Sequence, residues 1–152
     1  MPDETLIAIP LTPRQQRALR RVAAMMIPAG DEYGVPGADD DAIFADIVGS
    51  LDVDAPAVRE ALARLDALAG GSFVDASSEA AQEATKRFSE PRTPLLATLE
   101  LAVARCYYRD DRVMRSLGME PRAPFPKGFE VAQGDWSLLE PVKARGRVWR
   151  AV

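Results

Sequence analysis

A chain of 152 residues with 47% hydrophobic and 28% charged residues has the composition of one soluble globular domain, not of a disordered or membrane-embedded chain. It has no histidine and a single cysteine, Cys106, which excludes an intrachain disulfide, Cys/His zinc and iron–sulfur sites, c-type haem attachment and any triad with an imidazole base. The formal net charge is −4, and the cations are not spread into the broad basic face that nucleic-acid binding needs.

The first ten residues are acidic and carry neither a basic n-region nor a twin arginine. Leu6–Pro10 is too short for a signal core. No run approaches the ~20 apolar residues of a membrane span. The expected compartment is the cytoplasm, or the periplasm if the chain is exported with a partner.

Thr12-Pro13-Arg14-Gln15 sets a Thr N-cap, a proline at the first helical position and Gln at the capping-box site. Leu19, Val22, Ala23 and Met26 follow at helical spacing until Pro28 ends the helix. Residues 29–38, punctuated by Gly30, Gly34, Pro36 and Gly37, read as a loop. Asp39, Asp40 and Asp41 supply caps for a second helix with Ile43, Phe44, Ile47, Val48 and Leu51 on its stripe. Pro56 opens a third helix along Val58, Leu62, Leu65 and Leu68, closed by Gly70-Gly71. Ser77 or Ser78 caps an Ala-rich fourth helix running to about Phe88. Thr93-Pro94 opens the most hydrophobic one, Leu95 to Tyr107, whose apolar residues nearly all round predict a central position. Asp110 caps a continuation ending at Gly118.

From Met119 the pattern changes. Pro121, Pro124, Pro126, Gly128, Gly134, Pro141 and Gly146 interrupt a stretch without sustained period that still holds Phe125, Phe129, Trp136, Leu138, Leu139, Val142 and Trp149. The expectation is an all-α protein: a bundle of five or six helices over 1–118, and an extended, irregular C-terminal arm over 119–152 that packs on the bundle, on a partner, or on both.

Residues able to run chemistry are few. Gly30, Gly34 and Gly37 follow a helix, precede no strand and sit among carboxylates, unlike a dinucleotide or phosphate loop. Asp39-Asp40-Asp41 lacks the alternate spacing of a calcium loop, and helix capping explains it. Arg109-Asp110-Asp111-Arg112 reads as salt-bridged structural carboxylates. Cys106, with no base to activate it, reads as a buried core residue. No catalytic, cofactor-binding or metal-binding residue is assigned to the chain. Adjacent Tyr107 and Tyr108 point about 100° apart on a helix, so one can pack inside while the other meets a partner. Between Val22 and Val58 there are eight carboxylates and no Lys or Arg, whereas Lys143, Arg145, Arg147 and Arg150 follow Pro141 without an acid. Tyr108, Phe125, Phe129, Trp136 and Trp149, with Arg147 and Arg150, are the candidate partner-binding residues, since aromatic and Arg side chains dominate interface energetics.

The run Cys106-Tyr107-Tyr108-Arg109-Asp110-Asp111-Arg112-Val113-Met114-Arg115-Ser116-Leu117-Gly118, then Pro124-x-Pro126-Lys127-Gly128, resembles the C-terminal signature of the gluconate 2-dehydrogenase subunit 3 family. Leu11-Thr12-Pro13-Arg14-Gln15 with Ile27-Pro28 resembles its N-terminal pattern. The resemblance implies a small, cofactor-free subunit that stabilises a large FAD-dependent dehydrogenase of the glucose–methanol–choline class. FAD is then held by that partner, and a cytochrome c subunit joins some such complexes. Family members often supply the export signal; the missing twin-arginine leader shifts the expectation here toward stabilisation. The alternatives are a stand-alone helical interaction module or homodimeric regulator, and an enzyme with a deep polar pocket converging on Arg109 to Arg112.

Overall fold

The structure is a computed structural model, which describes residues 10–123, 128, 130 and 132–146. Among these are seven α-helices and no strand, so the fold is all-α. The chain divides into two compact units, Met1–Pro121 and Arg122–Val152.

The first unit holds α1 (Pro13–Met26), α2 (Asp41–Gly49), α3 (Ala55–Leu68), α4 (Ser78–Ser89), α5 (Pro94–Tyr107) and α6 (Asp111–Ser116). Their ends follow from local chemistry. Thr12 and Gln15 form the reciprocal capping box: the Gln15 N–H donates to Thr12 Oγ1 at 3.3 Å and the Thr12 N–H to Gln15 Oε1 at 2.9 Å. Of the three successive aspartates Asp40 is the α2 cap, accepting from the Ala42 and Ile43 N–H groups. Ser77, Thr93 and Asp110 cap α4, α5 and α6. Two C-termini close by the same pairing, in which a left-handed glycine lets the following N–H groups reach back to orphan carbonyls. After α3, Gly70 donates to Ala67 O and Gly71 to Asp66 O; after α6, Gly118 donates to Arg115 O and Met119 to Met114 O.

Among the described residues the core is one continuous cluster with no buried charged side chain. Helix α3 packs against α5, α4 and α1, and α5 also packs against α2, so α3 and α5 form the central pair. Leu96, Leu99, Ala102, Val103, Cys106 and Tyr107 face inward, as a central helix requires. Leu101, two residues from Leu99 and therefore on the opposite face, is exposed, so one side of this central helix meets solvent. Phe73, on the loop between α3 and α4, is fully buried at 0% exposure. Asp66 Oδ1 accepts its N–H at 2.8 Å, and Arg21 donates to the carbonyls of Phe73 and Val74 at 2.7 and 2.8 Å. The same guanidinium lies 5.4 Å from the Phe73 ring centroid. This clamp fixes the loop to α1.

In the second unit, residues Trp136–Leu139 form a 3-10 turn that runs directly into α7 (Glu140–Ala144). The stretch expected to be irregular thus contains a short helical element. Asp135 nucleates it by accepting from the Ser137 N–H at 3.0 Å and hydroxyl at 2.6 Å.

Candidate functional site

The most distinctive surface of the first unit is an apolar groove of about 260 Å³ lined by Ile27, Tyr33, Val35, Tyr107, Tyr108, Val113, Ser116 and Leu117. The chain has three tyrosines, and all of them line this groove. Tyr107 is buried at its floor, while Tyr108 is 56% and Tyr33 71% exposed. The two adjacent rings meet edge to face at 5.2 Å and 87°, the geometry favoured by their quadrupoles. The α5 helix stops here because Tyr108 is its C-cap and Asp110 starts α6 in extended conformation. That break turns Val113 and Leu117 toward the tyrosines instead of continuing the α5 stripe. Burial, with smaller contributions from the neighbouring Tyr108 and Asp110, pushes the Tyr107 phenol upward, so it stays a neutral hydrogen-bond donor at neutral pH.

The opposite wall is a closed tongue. Gly30 and Val35 exchange both backbone hydrogen bonds, 3.0 Å from the Gly30 N–H to the Val35 carbonyl and 3.2 Å in return. Between them Asp31–Tyr33 makes one 3-10 turn, and Gly34 reverses the chain at φ 61°. At the base of the tongue, Ala38 donates to Ile27 O at 2.9 Å. A Cβ at Gly37 would stand 2.9 Å from the Ala29 nitrogen and 2.5 Å from Asp39 Oδ1, so this position admits only glycine without a backbone shift. In the sequence residues 29–38 read only as a loop, and the one signal of Tyr33's place is an aromatic residue held between closely spaced glycines.

A second, open cleft of about 340 Å³ is lined by Ala42, Ile43, Asp46, Cys106, Arg109, Asp110 and Asp111. It includes much of the charged run, but each carboxylate is already engaged. Arg109 grips Asp46 through Nε at 2.6 Å and through its second nitrogen, which also donates to Ser50 Oγ at 2.6 Å. Arg112 turns away from the cleft and bridges Asp110 Oδ1 at 3.0 Å to Asp40 at 2.7 and 3.1 Å. Asp111 pairs with Arg115 one turn on at 3.0 Å. Hydrogen bonds from Arg112, and less from the α2 N–H groups, hold Asp40 down at about 2. Arg109 lowers Asp46, and Arg112 lowers Asp110, in the same way. Carboxylates so held are ionised at neutral pH and weak as bases, which suits ties between helices better than proton transfer. Burial and the Asp46 charge push the Cys106 thiol up, away from the nucleophilic thiolate. With Arg105, which binds Asp54 at 3.2 Å and the Ser50 carbonyl, Arg109 and Arg112 form a seam joining α2 and the link after it to α5 and α6. Among the described residues, no group of three or more His, Cys, Asp or Glu could hold a metal ion.

Of the seven expected partner-binding residues, Tyr108 and Trp136 are described. Both are exposed, Trp136 at 67%, and they belong to different units. Phe125, Phe129, Arg147, Trp149 and Arg150 lie outside the described residues. Among the described residues no helix is long and apolar enough to cross a membrane. Comparison with protein-family models, with curated proteins and with solved structures found no match.

Proposed function

We propose that this chain is a small accessory subunit that binds and stabilises a large FAD-dependent dehydrogenase of the glucose–methanol–choline type, with the tyrosine-lined groove as its docking surface. The observation that carries the reading is the placement of Tyr33, Tyr107 and Tyr108 around one apolar groove. Tyrosines supply large, rigid, amphipathic contact area and concentrate at binding surfaces. The resemblance of the segment from Cys106 to Gly118 to the gluconate 2-dehydrogenase subunit 3 signature supplies the kind of partner, and that segment contributes Tyr107, Tyr108, Val113, Ser116 and Leu117 to the groove. In this reading the flavin, the substrate pocket and the reacting groups belong to the large subunit, with a cytochrome c subunit as an electron acceptor in some assemblies. The ion-paired cleft around Asp46 and Arg109 serves the fold.

An obligate association of this kind buries about 2,000 Å² or more. Purification of the tagged chain from its native host should bring down a flavin-containing protein of larger mass, visible by its absorbance. Replacing Tyr108, which is half exposed and lies outside the buried core, by Ala should weaken the complex by about 2 kcal/mol, roughly thirty-fold in Kd, with an unchanged circular dichroism spectrum. A tagged chain that emerges alone, or a Tyr108→Ala variant that binds the flavoprotein as well as the parent, overturns the proposal.

A further inference from the structure

The short helical element of the second unit has a face that the proposed dehydrogenase docking leaves unused. In a 3-10 turn residues three apart eclipse one another, so Trp136 and Leu139 stand in one line. Leu138 and Val142, four apart, stand in the adjacent line. All four are exposed. The next residue in the first line is Lys143 and the next in the second is Arg145, which still has helical backbone angles. Two parallel apolar lines therefore each end in a cation. The charge continues in the sequence: after Pro141 come Lys143, Arg145, Arg147 and Arg150 and no acidic side chain. The Trp136 indole N–H is held by Gln133 Oε1 at 3.3 Å, so its ring can enter an apolar medium without stranding a donor.

From this arrangement we infer that the segment Trp136–Gly146 is an anchor for an anionic lipid surface. The element has four residues of 3-10 turn and five of α-helix, far too few to cross a bilayer and suited to lying in its plane. A convex ridge of Trp, Leu, Leu and Val has no need of a shaped pocket; it needs a soft apolar layer beneath a negatively charged one. Headgroup phosphates complement the cations at the end of each line, and aromatic residues favour that depth. Trp136, a candidate partner-binding residue from the sequence, heads this cation-terminated ridge. Glu140 lies 2.8 Å from Lys143 and acts against the anchor, because it neutralises one of the two described cations. This inference does not depend on the dehydrogenase proposal, since the groove and the ridge belong to different units.

The chain's two tryptophans, Trp136 and Trp149, both lie after residue 135, so tryptophan emission, excited selectively over the three tyrosines, reports the C-terminal stretch without contribution from the bundle. The full-length chain should be titrated with vesicles of phosphatidylcholine alone and of phosphatidylcholine with one-third phosphatidylglycerol. The expected result is a blue shift and co-sedimentation with the anionic vesicles only, reversed by high salt. Each cation near a charged membrane is worth about fivefold in partitioning. Arg145→Gln should therefore weaken binding roughly fivefold, and Glu140→Gln, which frees Lys143, should strengthen it by a similar factor. Leu138→Ser with Val142→Ser should abolish the blue shift while leaving the bundle's circular dichroism intact. Absence of binding to anionic vesicles overturns the inference. So does equal binding of the parent, Arg145→Gln and Glu140→Gln chains, or a blue shift that arises only when the flavoprotein is added, which would make a protein the occupant.

Discussion

Phe73 gives the sharpest test of how the bundle is held together. Its ring is fully buried, its N–H is fixed by Asp66, its carbonyl by Arg21, and the Arg21 guanidinium faces the ring. Truncation to Ala removes the burial of an aromatic side chain and leaves a cavity bounded by helices that cannot close over it, a loss of about 3–5 kcal/mol. The cation–π contact adds roughly 0.5–1 kcal/mol, since the guanidinium is partly desolvated. A total near 5 kcal/mol corresponds to a fall in Tm of about 10–20 °C for a chain of this length. Phe73→Leu, which keeps most of the volume, should lose about 1–1.5 kcal/mol. Urea unfolding followed by far-UV circular dichroism measures both. Adding Arg21→Met to each background isolates the ring–guanidinium coupling, expected at about 0.5–1 kcal/mol. If Phe73→Ala cost less than about 1.5 kcal/mol, the loop would not be a core element and the α1 clamp would be decorative.

Two further outcomes are expected. Stability should be flat from neutral pH to about 5 and fall below it, because Asp40 is held at about 2 against an ordinary value of 3.8. A depressed folded-state pKa contributes stability above the unfolded value, lost as pH falls through the folded one. Asp46 and Asp110 shift the same way. Asp40→Asn should flatten part of the acid limb of a urea-midpoint profile and, after solvent screening, cost on the order of 1 kcal/mol at neutral pH; an unaltered profile would remove the Asp40–Arg112 tie from the account. Gly37→Ala should disturb the tongue that carries Tyr33, since its Cβ meets backbone at 2.9 Å. It should weaken flavoprotein capture about tenfold while lowering Tm only slightly, and a variant that captures its partner normally would show that Tyr33 takes no part.

What the sequence made legible was local. Thr12 with Gln15, Thr93 with Pro94 and Gly118 after Leu117 each announce a helix end through contacts within a few residues, and the structure places caps at all three. The separation of Tyr107 from Tyr108 follows from the helical turn alone, and one is buried while the other is exposed. The charged run Arg109–Arg112 was readable as structural, but its partners were not: Asp46 lies 63 residues from Arg109 and Asp40 72 from Arg112. No periodicity carries a pairing across that distance. The tongue was hidden for another reason. Its shape rests on two backbone bonds and a left-handed glycine, so the one aromatic side chain it displays, Tyr33, looks isolated in a loop. Trp136–Ala144 escaped because a period of 3.0 passes into one of 3.6 at Leu139, and neither lasts long enough to register.

The tongue between Gly30 and Val35 is closed by its own backbone, and none of its residues belongs to the buried core. Selection can therefore act on Asp31, Glu32 and Tyr33 with little penalty in folding, while the seam of arginines keeps the facing wall in place. A groove with one wall tied into the core and the other carried on a self-closed loop separates two demands that usually conflict. In the proposed docking role, recognition of a new partner can be tried at three positions while the scaffold that must survive the trial stays unchanged.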